Sequence, residues 1–270
     1  MGTSASHSGP KSGVSFDPPW LDDLDGPEMP EAPSQNPQET PYVPSLAPPA
    51  RFGSARRNLG DYIKSGNRDS LKKALGHYAH TGMGGSRNVA NRMRHSANIA
   101  SKLFTSFRSL REGNEPTISS IILNYRTENI DVYAMIDAIA QHICGDGGSL
   151  DETSPVNSVS SALSDLFETN PDIDIMALSD DAIWSLVSSF LSYEAFSRIQ
   201  LDIGQRFETK DIPLSDLMIR LHDMRDYLEA EISSQVMSIR QEFRNTSPLD
   251  LRNYMLTAIE RTFKVFEVTV

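Results

Sequence analysis

The chain has 270 residues, a formal net charge of −11 and one cysteine, so it forms no internal disulfide and does not fit a small disulfide-stapled secreted domain. It contains no apolar run approaching the ~20 residues that a membrane-spanning helix needs. With no signal peptide in front, we expect a cytoplasmic protein whose folded part is large enough for a real core.

The charge is distributed unevenly along the chain. Residues 1–50 carry −6, residues 51–115 carry +9, and residues 116–270 carry −14. Such asymmetry says more about binding partners than the total charge does. The basic segment is suited to nucleic acid, to an acidic protein, or to the acidic parts of this chain itself.

The first segment of the chain is rich in proline, serine and glutamate. Residues 1–50 hold eleven of the sixteen prolines and too few apolar residues to offset the entropy of ordering, so residues 1–55 are predicted to be disordered in isolation. Removal of Met1 leaves Gly2 as an unhindered amine that suits insertion into another protein's pocket. The segment 20–25 (W-L-D-D-L-D) is either a docking segment that includes Trp20 or a solvated linker.

Helical periodicity begins after this tail, and residues 56–270 are predicted to form an α-helical domain. Residues 68–80 predict a short helix that ends at a run of glycines. Ser86 is an expected N-cap for the next helix, which runs to about Arg111.

The predicted helix 86–111 has two contrasting faces. Its apolar residues recur at helical spacing on one side: Val89, Met93, Ala97, Ala100, Phe104 and Phe107. The opposite side carries four cations: Arg87, Arg94, Lys102 and Arg108. These cations either contact phosphates or form a solvated, internally paired face. Nucleic acid is not the favoured partner, because the domain is otherwise acidic and no aromatic residues interleave with the cations.

The rest of the chain also predicts helices, at about 128–143, 156–169, 179–200 and 212–244. A last helix begins at Ser247-Pro248, which offers a capping side chain and a proline at the first helical position. The 212–244 helix has an apolar seam, favoured as core over a dimer contact: Leu214, Leu217, Leu221, Met224, Leu228, Ile232, Val236 and Ile239. Short strands are predicted at Ile121-Ile122 and at 265–270. The predicted fold is mainly α, a helical bundle preceded by a disordered tail.

The glycine-rich turn before residue 86 is the best candidate for anion or partner contact. Gly84 and Gly85 let backbone amides approach a ligand closely, and Arg87 and Arg94 add positive charge. The spacing is not that of a known phosphate loop. A turn between helices that needs glycine's conformational freedom is therefore the favoured interpretation.

Signals for catalysis and metal binding are weak. His77 and His80 share a helix face but have no cysteine or carboxylate at a ligand spacing, so no metal is expected. Cys144 follows His142 by two residues, which allows a thiol nucleophile, although a buried, inert thiol is more usual. The chain contains no G-x-S-x-G, Walker, Rossmann or H-E-x-x-H motif. We expect a non-enzymatic protein with no cofactor of its own.

Two stretches carry a resemblance to a known family. The first is the M-G-T-S start with Ser6, Gly9-Pro10 and Pro18-Pro19-Trp20, and the second is Gly82-Met83-Gly84-Gly85-Ser86-Arg87 through Arg92-Met93-Arg94. In these two stretches the chain resembles the QatB family, whose members are accessory components of the four-gene Qat antiphage defence systems of bacteria. The resemblance covers the tail and the first basic helical region, and beyond about residue 115 it is limited to general helical character.

The resemblance implies a specific chemistry at the amino terminus. The neighbouring QatC resembles the enzyme that makes 7-cyano-7-deazaguanine, and its relatives are understood to attach a deazaguanine base to a protein's N-terminal glycine. Carried over, Gly2 is the acceptor of an ATP-activated 7-carboxy-7-deazaguanine, with ATP used by the partner. Thr3, Ser4 and Trp20 are then expected to be recognised by that partner. The QatA ATPase and the QatD nuclease are further expected partners, and a membrane is not.

Overall fold

A computed structural model describes residues 50–128, 131–145, 150–204, 212–242 and 248–270. The described residues form ten α-helices: α1 (Gly53–Ser65), α2 (Arg68–His77), α3 (Ser86–Arg92), α4 (Arg94–Arg111), α5 (Pro116–Glu128), α6 (Val132–Cys144), α7 (Leu150–Thr169), α8 (Asp180–Ile203), α9 (Leu214–Glu242) and α10 (Pro248–Glu267). A π-helical turn at Tyr78–Gly82 extends α2, and a 3₁₀ turn at Ile175–Ala177 precedes α8. The predicted mainly α fold is confirmed.

Four of these helices form the centre of the bundle. Helix α4 packs against α8 and α10, and α9 packs against the same two helices, so the four close into a ring. The α1–α2 pair covers one part of this ring through contacts with α9 and α10. The α6–α7 pair covers another through contacts with α4 and α8.

The apolar face predicted for residues 86–111 is the buried one. All six of its apolar residues are at most 9% exposed. The single predicted helix is, however, two helices, because the chain bends at Met93 (φ −90°, ψ 17°). The bend lets α3 pack against α10, while α4 continues between α10 and α8.

Both predicted strands are wrong. β-Branched side chains favour strands, and this preference led to the prediction at Ile121-Ile122. Pro116, however, suits the first position of a helix. Ile118 and Ile122 lie one helical turn apart, and both are at most 1% exposed. At the other end, α10 continues to Glu267 because Phe263 and Phe266 are both buried. Tertiary burial at helical spacing decides the conformation at both places.

The long helix α9 contributes its seam to the core from Met224 onward. Met224, Leu228 and Ile232 are fully buried, whereas the first seam residue, Leu214, is 72% exposed. The prediction of a core seam therefore holds for the later turns and is wrong for Leu214. The helix begins nearly three turns before Met224, its first fully buried seam residue.

The start of the described chain also differs from the prediction. Helix α1 is not predicted from the sequence. It begins at Gly53, so the last three residues of the predicted 1–55 tail are helical. Residues 1–49 lie outside the described residues.

Close packing at Gly76 joins α2 to the end of α10. A Cβ placed there would lie 2.6 Å from the backbone oxygen of Phe266 and 2.9 Å from Oγ1 of Thr269. The hydroxyl of Thr269 also donates to the backbone oxygen of Lys72, at 3.2 Å. Glycine is therefore required for this approach of backbone to backbone.

We expect Gly76→Ala to lower the free energy of unfolding by about 1–3 kcal/mol, the usual cost of overpacking. The control is Gly60→Ala in α1, where an added Cβ meets nothing within 4 Å. Because glycine is a poor helix former, this control should gain about 0.5–1 kcal/mol. Urea unfolding followed by circular dichroism measures both, and the packing argument fails if the two substitutions change stability in the same direction.

Candidate functional site

The described body begins with a well-packed aromatic side chain. The ring of Phe52 stacks on Tyr78 with centroids 5.7 Å apart, and the guanidinium of Arg51 lies 4.8 Å from the Phe52 centroid. A Cβ on Gly82 would lie 2.5 Å from the Phe52 ring. Because Gly82 has no side chain, the Phe52 ring fits against it. The packing of Phe52 in turn fixes the start of the described body.

Asp202, at the end of α8, binds three elements of this region through its carboxylate and its backbone oxygen. Asp202 accepts hydrogen bonds from the Tyr78 hydroxyl and from Arg92 Nη2, both at 2.9 Å. Its backbone oxygen accepts from Arg56 Nη2, also at 2.9 Å. Burial raises the pKa of Tyr78 above its ordinary value, and the charge of Asp202 adds to the shift. Asp202 thus holds α1, α3 and the π-helical turn together.

The glycine-rich turn has the geometry that its sequence predicts. Gly84 (φ +74°) and Gly85 (φ +116°) both adopt positive φ, which side chains disfavour. The amide of Gly85 donates to the backbone oxygen of Ala79 at 2.9 Å, and Asn88 Nδ2 donates to the backbone oxygen of Gly84 at 2.9 Å. The turn is therefore held by bonds within the chain.

The amino terminus of α3 is occupied by a carboxylate of the same protein. Ser86, predicted as an N-cap, is the first helical residue, and Gly85 is the cap. The amide of Ser86 donates to Oε1 of Glu267 at 2.5 Å. An external anion at this turn would have to displace Glu267, the last residue of α10. Whether Gly84 and Gly85 contact an anion or a partner stays a prediction.

The four predicted cations of the basic face are all exposed. Arg94 Nη2 donates to Asn91 Oδ1 at 3.1 Å, and Arg108 pairs with Glu112 at 3.3 Å. The bend at Met93 divides these cations between two helices, with Arg87 on α3 and the others on α4. Binding of nucleic acid by this face stays a prediction.

A buried carboxylate in the middle of α8 is the most complete polar site in the described part of the chain. Glu194 is 0% exposed. It accepts hydrogen bonds from the hydroxyls of Ser96 (2.6 Å), Ser154 (2.9 Å) and Ser158 (2.8 Å). These donors come from α4 and α7, so Glu194 joins three helices. These hydrogen bonds stabilise the carboxylate inside the fold, because a buried charge is costly unless it is hydrogen-bonded.

His142 and Cys144, the candidate base and thiol, have different surroundings in the structure. His142 Nε2 contacts Glu115 Oε1 at 3.2 Å. Burial raises the pKa of the Cys144 thiol to about 12, the charge of Glu194 adds to the shift, and Lys102 opposes it. A thiol with this pKa stays protonated at neutral pH and is a poor nucleophile.

His77 and His80 lie near each other at the end of α2. Burial lowers the pKa of His77, and the positive charges of His80 and Lys73 lower it further. No group of three or more histidine, cysteine or acidic residues with metal-binding geometry occurs among the described residues.

Four predicted site residues, Gly2, Thr3, Ser4 and Trp20, lie outside the described residues. Sequence reasoning also missed Glu194 and Asp202. A signal existed for Glu194, because it follows Val187, Phe190 and Leu191 at helical spacing on the apolar side of α8. Asp202 carried no such signal, since its partners lie 110 to 146 residues away.

Comparison with protein-family models identifies the family of this chain. A family model described as "Qat anti-phage system associated protein QatB" matches residues 84–266. The matched range includes Gly84, Gly85, Arg87 and Arg94, and it extends well beyond residue 115. No curated protein and no solved structure matches the chain. No helix in the described ranges is long and apolar enough to cross a membrane.

Proposed function

This chain belongs to the QatB family of Qat anti-phage system associated proteins, and from that premise we propose that it is a non-enzymatic adaptor modified at its amino terminus. In this proposal Met1 is removed, and Gly2 then accepts a 7-deazaguanine base from a QueC-like partner, QatC. The helical body (residues 56–270) docks that partner. The family assignment, together with the M-G-T-S start, is the observation that carries the proposal.

The proposed reaction forms one amide bond. The neutral α-amine of Gly2 attacks the carbonyl carbon of a 7-carboxy-7-deazaguanine that the partner has activated with ATP. The new C–N bond replaces the bond to the activating phosphate group, which leaves with the electron pair, and the amine releases a proton to solvent. An α-amine with a pKa of about 7.7–8.0 is partly neutral at cellular pH, so it is a competent nucleophile.

The anchoring of the body supports a protein whose amino terminus is modified while its helical body docks the partner. Phe52 and Arg56 are tied to Tyr78 and Asp202, so the described body is fixed close to its first residue. Gly2 lies 48 residues before Ala50. A chain of that length spans at most about 160–170 Å. Gly2 can therefore reach an active site in a partner that is seated anywhere on the helical body.

The chemistry of the described residues supports a non-enzymatic role. The Cys144 thiol has a raised pKa, and the Glu194 carboxylate is fully engaged with serine hydroxyls. Neither group has the free, activated character of a nucleophile or general base. The chain is then a substrate and scaffold for QatC, with QatA and QatD as further proposed partners.

Intact mass spectrometry tests this proposal on protein co-expressed with the other Qat components. We expect loss of Met1 together with the mass of one 7-deazaguanine acyl group on Gly2. The control is co-expression with a QatC whose ATP-binding site is inactivated, which should give Met1 loss alone. An unmodified Gly2 in cells that resist phage would contradict the proposal.

A further inference from the structure

A small polar pocket lies between α7, α8 and α9, away from the glycine-rich turn. Its volume is about 110 Å³, compared with about 30 Å³ for a water molecule in the liquid. The polar residues that line it are Asp165, Thr169, Asn170, Ser185, Ser189 and Glu229. The pocket is therefore the size of a slim group of several heavy atoms and is rich in hydrogen-bond acceptors.

Two of these groups have unused hydrogen-bonding capacity. Ser189 is 7% exposed, and its hydroxyl has no hydrogen-bond partner among the described residues. Glu229 is half-buried, and within the described ranges no hydrogen bond or ion pair reaches its carboxylate. A buried hydroxyl left without a hydrogen-bond partner is unfavourable for folding. The fold keeps both groups beside an open space that a ligand can occupy.

A second carboxylate in the pocket is already partly neutralised. Oδ2 of Asp165 accepts from the Tyr193 hydroxyl at 2.8 Å and lies 3.4 Å from Arg225 Nη1. Arg225 Nη1 also contacts the Tyr193 hydroxyl, and its guanidinium lies 4.9 Å from the centroid of the Tyr193 ring. Arg225 Nη2 also lies 3.3 Å from Oδ1 of Asp226. One cation therefore stands against three carboxylates, and the net charge around the pocket is about −2 when Glu229 is ionised.

We propose that this pocket binds a primary ammonium group on a slim alkyl chain, held by Glu229, Asp165 and the hydroxyl of Ser189. An ammonium has three N–H donors, and these three residues offer three acceptors. A cation is also favoured by the net negative charge around the pocket. The apolar side chains of Ala162 and Leu186 in the lining suit the alkyl portion. The inference does not depend on modification of Gly2.

The ionisation of Glu229 makes this binding sensitive to pH. Burial raises the pKa of Glu229, the positive charges of Arg225 and His222 oppose the shift, and Asp165 and Asp226 add to it. Because the ligand needs an ionised Glu229, affinity falls as the pH drops through this raised pKa. The loss therefore sets in at a higher pH than it would for an ordinary glutamate.

The test is a titration of the full-length chain, labelled with ¹⁵N, with n-butylammonium followed by amide chemical shifts. We expect saturable shifts at residues of α7, α8 and α9, with millimolar affinity or better. Tetramethylammonium, which has the same charge and no N–H donor, should bind at least roughly 10-fold more weakly, since it forgoes charge-assisted hydrogen bonds.

Three variants make the test specific. Glu229→Gln should weaken binding roughly 10- to 100-fold and remove the part of its pH dependence that comes from Glu229. Ser189→Ala should weaken binding roughly 3- to 10-fold without loss of stability, because it removes an unpaired hydroxyl. Ser188→Ala is the matched control, since its hydroxyl donates to the backbone oxygen of Trp184 and does not line the pocket. Absence of saturable shifts, equal binding of tetramethylammonium, or unchanged affinity in Glu229→Gln would each overturn the proposal.

Discussion

Gly2→Leu is expected to abolish both the deazaguanine adduct and protection against phage. Leucine at the second position hinders removal of Met1, so the terminal amine belongs to a methionine and is no longer carried by glycine. The bulkier terminus is then excluded from the enclosed site of the partner. Intact mass and plaque counts in cells carrying the complete Qat system measure the two effects.

The matched control for this change is Gly2→Ala, which still permits removal of Met1. Its single methyl group beside the amine should reduce the adduct without eliminating it. Both variants should retain the wild-type stability of the body within about 0.5 kcal/mol, and both should co-purify with QatC because the body is unchanged. Full protection by Gly2→Leu would count decisively against Gly2 as the acceptor, whereas loss of co-purification would instead place docking in the tail.

Glu194→Ala is expected to have the largest effect on stability in the described body, lowering the free energy of unfolding by about 3–5 kcal/mol. The substitution leaves the hydroxyls of Ser96, Ser154 and Ser158 without their acceptor and creates a cavity. Hydrogen bonds to a charged group contribute about 1.5–3 kcal/mol each, and they are not additive. Urea unfolding monitored by circular dichroism measures the loss.

Two further variants identify the cause of that loss. Glu194→Gln keeps the volume and one acceptor oxygen, so it should lose about half as much stability as Glu194→Ala. Glu112→Ala removes an exposed partner of Arg108 and should change stability by less than about 1 kcal/mol, as surface ion pairs do. If Glu194→Ala behaves like Glu112→Ala, the three serine hydroxyls do not depend on this carboxylate.

Local patterns were enough to predict most of the helices. The apolar spacing in α4 and the proline at the start of α10 act within a few residues, so both are visible in the sequence before the fold is known. The predicted strands at Ile121-Ile122 and 265–270 were wrong because they rested on local composition, without knowledge of what the fold buries. β-Branched composition is a weak preference, and burial of one helical face overrides it.

The chain on its own therefore determined the helical class, the contrasting faces of residues 86–111 and the need for glycine at Gly84 and Gly85, because each depends on backbone preference or on spacing of a few residues. Only the tertiary structure decided that Glu267 occupies the start of α3, that Glu194 is surrounded by serines, and that Ser189 and Glu229 border one pocket. Those contacts join residues 36 to 181 positions apart, or lie between helices whose packing no local pattern encodes.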